Sequence, residues 1–324
     1  MIPLPGWSFP DSPFHPGEQQ VQQRLGVRER MEAVGRRVLR NVMPDQHRAF
    51  FAALPFLVLG TVDGEGWPWA SIAAGAPGFL STPDARTLRV AAAPPLGAHL
   101  ADGGDIGALG IDFAARRRNR ANGLVRAPGA GGFDIAVAQS FGNCPRYIQA
   151  RDWSLAEGEA AAPGAARRGR WLGAAERALI AGADTFFIAS ALGSAEGAPS
   201  HGVDVSHRGG PPGFVRVDDE HAMSVPDFTG NSYYNTLGNL VLNPRCGLLF
   251  IDFDSGGIVQ VAATAEIVWE GPEVARFAGA QRVLRFHVEE RVTAERAVPL
   301  RWRLRDYSPF LAALGSWGPP PGAA

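Results

Sequence analysis

From Glu18 to Val42 apolar residues return every three or four positions, at Val21, Leu25, Met31, Val34, Val38 and Val42, with arginine and glutamate between them. That spacing predicts an amphipathic helix over 18–42, its arginines on the wet face, stopped by Pro44. Residues 1–17 are rich in proline and aromatics and predict an extended arm lying on the body. Beyond residue 50 the period shortens. "PFLVLGTVDGEGWPWASIAAGAPGFL" reads as strand, Asp-Gly-Glu-Gly turn, strand and turn. "TLRVAAA", "IGALGIDF", "ANGLVRA" and "GGFDIAVAQSF" continue as strands, the second and third separated by the arginine-rich "AARRRNR". Short strands with Gly-rich turns at this spacing indicate an antiparallel barrel or sandwich.

"EGEAAAPGAARRGRW" is small, polar and poor in β-branched residues, and reads as a linker before the short helix "AAERALIAGA". After it the earlier pattern returns. "TFFIASALGSAEGAPSHG" echoes the Pro55 stretch, "LLFIDF" echoes "ALGIDF", and "VQVAATAEIV" lines up with "ANGLV". Three matches in order point to one β unit duplicated within the chain. The second set is longer by about ten residues, expected around "VPDFTGNSYYNTLGNLVLNP". A C-terminal helix is expected to begin at "GPEVARFAGAQRVLRF", with Pro272 in its first turn. "VPLRWRL" reads as a late strand or arm and "GPPPGAA" as a frayed tail. The resulting division is 1–50 arm and helix, 51–153 first β unit, 154–183 linker and short helix, 184–271 second β unit, and 272–324 C-terminal helix and arm.

Composition adds exclusions. With 46% hydrophobic and 19% charged residues, the 324-residue chain is long enough for packed cores in two domains. A net charge of −1 gives no nucleic-acid footprint. No apolar run is long enough for a membrane helix, and the start lacks a signal-peptide layout, so a cytoplasmic location is expected. All 31 basic residues are arginine. This excludes lysine chemistry, although a genomic bias toward arginine explains it equally well. Cys144 and Cys246 are too few for a disulfide framework or a cysteine zinc site, and the seven histidines form no metal motif. Cys144, beside Arg146, is either an activated thiol or a small buried hydrophobe.

The candidate chemistry lies in the second set. In "HGVDVSHRGGPPGFVRV" strand alternation puts Asp204, Ser206 and Arg208 on one face and Val203, Val205 and His207 on the other. Between Val225 and Pro244, small hydroxyl and amide side chains and glycines crowd the start of a short helix. That is either a solvated loop or an anion-binding corner. Gln260 is a lone amide in an apolar strand, either buried with partners or facing water. Arg116, Arg117, Arg118 and Arg120 form a basic turn that is either solvated or a source of positive charge.

The order "VDVSHRGGPPGFV", "TGNSYYNTLGNLVLNP", "VQV" resembles the FMN-binding split barrel of pyridoxamine 5′-phosphate oxidase-like proteins. Asn243-Pro244 matches the closing Asn-Pro of that family's phosphate segment, Gln260-Val261 its Gln-Val, and Gln139-Ser140 a Gln-Ser pair given across its subunit interface. The resemblance implies a mainly β fold with flanking helices, in which two tandem split barrels form an intrachain pseudo-dimer. It implies FMN as cofactor, with Asn231, Ser232, Asn235 and Thr236 at the phosphate. Val205, Ser206, His207, Arg208 and Gln260 would border the ring, with Gln139, Ser140, Arg118 and Arg120 from the first unit. His207 and Arg208 are the catalytic candidates. The family's basic phosphate ligands fall near Asn235 and Thr236, which are neutral, and its C-terminal substrate motif is unrecognisable in "LRWRLRDY". The implied function is an FMN-dependent oxidoreductase on an unknown small molecule. The alternative is a non-catalytic flavin-binding or electron-transfer module. The implied partners are a small-molecule substrate or electron donor, NAD(P)H or a reductase. Homodimerisation stays open, and no nucleic-acid, metal or membrane partner is expected.

Overall fold

The computed structural model describes residues 6–93, 95–157, 164–193 and 198–318. The chain divides into two compact units. One comprises Met1–Pro145, Ile188–Ser206 and Asn231–Gly247, and the other Arg146–Phe187, His207–Gly230 and Leu248–Ala324.

Three helices open the chain: α1 (Pro16–Arg24), α2 (Arg28–Val38) and α3 (Asp45–Ala52). They precede seven strands: β1 (Phe56–Val62), β2 (Pro68–Ala74), β3 (Leu80–Asp84), β4 (Thr87–Val90), β5 (Asp105–Asp112), β6 (Arg117–Gly129) and β7 (Gly132–Gly142). These make one sheet in the order β2-β1-β5-β6-β7-β4-β3. Its apolar face is closed by Met43, Phe50, Phe51 and Leu54 from α3 and its flanks, packed against Leu57, Leu59, Leu88, Ile106 and Ile135. A second cluster joins the arm to the body, with Trp7, Phe14, Met31 and Leu39 against Phe141 and Tyr233.

The chain continues through β8 (Ala150–Leu155), β9 (Arg167–Gly169), α4 (Ala174–Gly182), β10 (Thr185–Leu192), β11 (Gly202–Gly209), β12 (Arg216–Val217) and β13 (Ala222–Asp227). Next come α5 (Asn235–Leu242), β14 (Arg245–Ile251), β15 (Ile258–Val268), α6 (Pro272–Ala275), β16 (Arg282–Ala294), β17 (Leu300–Asp306) and a short 3-10 helix, Pro309–Ala313. The second sheet runs β11-β10-β14-β15-β16-β13-β12, with β9 added on β16, while β17 and β8 form a separate ribbon. Strand for strand, its seven-strand path repeats the order of the first sheet. The chain is mainly β, with antiparallel sheets and flanking helices.

Several expectations are corrected. The helix expected over 18–42 is two helices, because Gly26 takes a left-handed φ of 67° between them. The C-terminal helix is only the single turn α6. Gly279, at φ 91°, then turns the chain into β16, whose Val283, Phe286, Val288 and Val292 are buried. Part of the presumed linker is strand, since Arg167–Gly169 pairs with β16. Residues 158–163 of that linker and 319–324 of the tail lie outside the described residues. The extra length of the second set is not concentrated before Pro244. The β4–β5 connection (91–104) and the β13–β14 connection (228–244) differ little, and more of it separates β1–β2 (63–67) from β10–β11 (193–201).

Candidate functional site

The first unit gathers polar side chains where β11, α5 and α1 meet the end of the first sheet. β11 comes close because Gly60 and Gly107 face it. A Cβ on Gly107 would stand 2.6 Å from Val203 O, and one on Gly60 would stand 3.0 Å from Val203 Cγ1. Asp204, 8% exposed, is the centre of the cluster. Its carboxylate accepts from Arg120 Nη1 at 2.5 Å, Asn122 Nδ2 at 2.8 Å and Asn239 Nδ2 at 3.1 Å. Arg120 Nη2 donates to Ser206 Oγ, and the Thr236 hydroxyl donates to the same oxygen at 3.0 Å. A buried ion pair with its remaining valences met in this way is stable as a unit, and costly if one member is lost.

Above it sits Glu18, 2% exposed. One carboxylate oxygen accepts the Asn235 side-chain amide, at the first residue of α5. The other accepts His15 N at 2.8 Å, closing a capping box on α1, with Pro16 in the first turn. A single carboxyl group therefore satisfies donors at the starts of two helices. Burial, and then Asp204, push the Glu18 carboxyl well above the carboxylate range. His15 Nδ1 accepts Gly17 N, and burial lowers this imidazole to about 4, so it is neutral at physiological pH.

Beside the cluster lies a cleft of about 300 Å³. Asn122 and Gln139 from β6 and β7, Gly202 and Val203 from β11, and Phe9, Pro199 and His201 are among its lining residues. Gln139 Nε2 donates to Pro199 O at 3.0 Å.

The structure thus brings together Ser206, Thr236 and Arg120, with Asn235 linked through Glu18, and sets Gln139 in the adjoining cleft. Val205 is buried on the opposite face of β11. Ser140 faces away from Gln139, as neighbours on a strand must, and its hydroxyl lies 2.9 Å from His47 Nδ1. Arg118 donates to Cys144 O at 2.8 Å. Asn231 and Ser232 shape the loop. Asn231 Oδ1 accepts Tyr233 N at 3.1 Å, and Ser232 and Tyr234 take φ of 65° and 64°.

In the other unit Arg208 is paired with Asp227, which Arg282 also binds at 2.7 Å. His207 is buried with its ring against Phe187. Gln260 is fully buried, so the water-facing reading of it fails. Cys144 and Cys246 are both free thiols, and burial pushes Cys246 up. Glu18, His15, Asn122 and Asn239 had escaped the sequence-based site. The His15–Glu18 spacing beside Pro16 was a legible cap signal, but its bond to residue 235 was not.

Residues 172–301 match the family described as pyridoxamine 5′-phosphate oxidase. That segment is a domain of the pyridoxamine 5′-phosphate oxidase-like family. It spans β10 to β16, including β11 and α5. No curated protein matches the chain. Among solved structures, a histidine-to-alanine variant of HupZ from Group A Streptococcus is 16% identical, covering 38% of this chain and 98% of its own, at a TM-score of 0.30. A putative pyridoxamine 5′-phosphate oxidase from Lactobacillus delbrueckii is 19% identical over 38% of this chain and 94% of its own, at 0.29. An FAD-binding protein from Mesorhizobium loti is 14% identical over 40% and 97%, at 0.26.

In an oxidase-like domain the α5 corner is where a flavin phosphate is expected. The donors of α5 and the two terminal nitrogens of Arg120 are present, but each is engaged. Asn235 serves Glu18, Arg120 serves Asp204 and Ser206, Thr236 serves Ser206, and Asn239 serves Asp204 and Ser190. Two carboxylates face one guanidinium. As arranged, the residues present do not fit a phosphate dianion.

Proposed function

We propose that this chain is a flavin-binding protein related to the pyridoxamine 5′-phosphate oxidases, built from an internally duplicated β unit, and that it acts as a flavin-dependent oxidoreductase on a small molecule. The observation that carries this reading is the cleft beside Asp204. Gln139, which the resemblance assigns to the flavin, and the start of β11, the strand it places along the ring, line that one cavity. A volume of about 300 Å³ is at the small end of ligand pockets. Asp105, Asn122, Gln139 and His201 are its polar side chains for orienting a ring system. When bound, a flavin supplies the redox chemistry, and the protein positions the ring and shields it from water.

The alternative is a flavin carrier or electron-transfer module. Arg208, a catalytic candidate, favours it, because its guanidinium is committed to Asp227. The absorbance spectrum and mass spectrometry of whatever co-purifies with the full chain test the flavin reading. A colourless protein whose spectrum and fluorescence ignore both added FMN and added riboflavin sinks it. Reduction of the bound flavin by NADH or NADPH, followed by turnover with an added acceptor, separates catalyst from carrier.

A further inference from the structure

We propose that Glu18 is a built-in replacement for a ligand phosphate, so that the ligand of the neighbouring cleft carries no phosphate at the α5 corner. For the identity of the ligand this rests on the flavin reading, and there it names the class: a flavin at the riboflavin level, without the 5′-phosphate. For Glu18 itself it rests on geometry alone.

Three observations support it. First, the carboxyl group occupies the place a ligand's oxygens would take, with one oxygen on the Asn235 amide and the other on His15 N, between the starts of α5 and α1. Second, the occupant is part of the packed body. A Cβ on Gly17 would stand 2.1 Å from Gly238 O, and one on Gly238 would stand 2.6 Å from Glu18 N, so the helices cross at glycines with no gap. Gln22 Nε2 also ties α1 to Tyr233 O at 3.1 Å. Third, what the corner leaves unbonded is sealed in with Glu18. Arg120 Nε is buried without a hydrogen-bond partner, and His15 Nε2 is 3.6 Å from Glu18 Oε2. With one guanidinium already bound to Asp204, a second anion enters this corner only if Glu18 leaves it.

The test uses the full chain. Riboflavin and FMN are titrated into wild-type protein, followed by flavin fluorescence, and thermal unfolding is followed with millimolar inorganic phosphate or formate against chloride at equal ionic strength. The expected result is affinities for riboflavin and FMN within about threefold and a wild-type melting point indifferent to phosphate and formate. Glu18→Ala is expected to melt lower and to be restored in part by formate or phosphate filling the vacated place. FMN binding tenfold or more tighter than riboflavin, about 1.4 kcal/mol, overturns the proposal and leaves the flavin reading standing. If neither flavin binds, the flavin reading falls, and the anion measurements still judge Glu18. Stabilisation of wild type by phosphate, or a Glu18→Ala protein deaf to both anions, overturns it. The wild-type measurements need no variant, so they decide the matter even if Glu18→Ala does not fold.

Discussion

Glu18 and Asp204 lie in one buried cluster with one arginine, and that arithmetic fixes how the corner responds to pH and to mutation. The Glu18 carboxyl is raised from 4.5, first by burial and then by Asp204, so its protonated form is favoured in the folded chain. The stability this group contributes is therefore full below its ordinary value and is lost as pH rises. Glu18→Gln keeps the shape and removes the titration. Its melting point relative to wild type should rise as pH climbs above the ordinary glutamate range, and a difference that is flat with pH contradicts the assignment. His15 works in the other direction. Its imidazole is lowered by burial from 6.5 to about 4, so its contribution is present above 6.5 and fades as pH falls towards 4, by at most about 1.4 kcal/mol per unit. Removing Asp204 strands Arg120, which is 4% exposed, together with the Asn122 and Asn239 amides. Asp204→Ala should cost about 3–5 kcal/mol in urea unfolding, and Asp204→Asn less.

At the scale of elements, the α1–α5 crossing depends on having no side chain at either glycine. A methyl on Gly238 would sit 2.5 Å from Glu18 Cγ and 2.6 Å from Glu18 N, and the second of these is backbone that cannot step aside. Gly238→Ala should lower stability by about 1–3 kcal/mol and weaken the Glu18–Asn235 contact, whereas Gly230→Ala, which meets open space, should do little. Calorimetric melting of the two variants checks the contrast. These elements also show where sequence reasoning was strong. Strands β1, β2, β5, β7, β10 and β15 were legible because their apolar runs, or in β7 the alternation, and their turn residues are local. Helices and strands whose boundaries depend on one glycine were not. Gly26 splits a helix that its apolar period runs straight through, and Gly279 starts a strand inside a pattern that reads as helical. Within the site, Asp204 and Ser206, which the alternation of β11 sets on one face, both meet Arg120. Nothing within a few residues of Asn235 reveals that its partner is Glu18, because that pairing is decided by the fold.

At the scale of the whole chain, the repeated strand order suggests two interchangeable halves, yet the first compact unit is not the first half of the sequence. It takes Ile188–Ser206 and Asn231–Gly247 from the second half, and β10, β11 and β14 each give residues to both units. Those borrowed segments carry Asp204, Ser206, Asn235 and Gly238, the counterparts of Arg120 and α1. A fragment ending at residue 157 would keep Arg120, Asn122, His15 and Glu18 but lose every second-half partner they have. It would also uncover Phe14 and Phe141, which Tyr233 covers in the intact unit. Buried charge without its partner and apolar surface without its cover are both costs of several kcal/mol, comparable to the whole stability of a domain. The fragment 1–157 made alone should therefore lack a cooperative thermal transition and bind dyes that report exposed apolar surface. Adding a fragment from residue 164 onward should restore the transition, and the restoration should fail when that fragment carries Asp204→Ala. A fragment 1–157 that melts cooperatively by itself would mean that the first sheet is self-sufficient, and that the polar corner is an addition to the fold rather than part of what holds it.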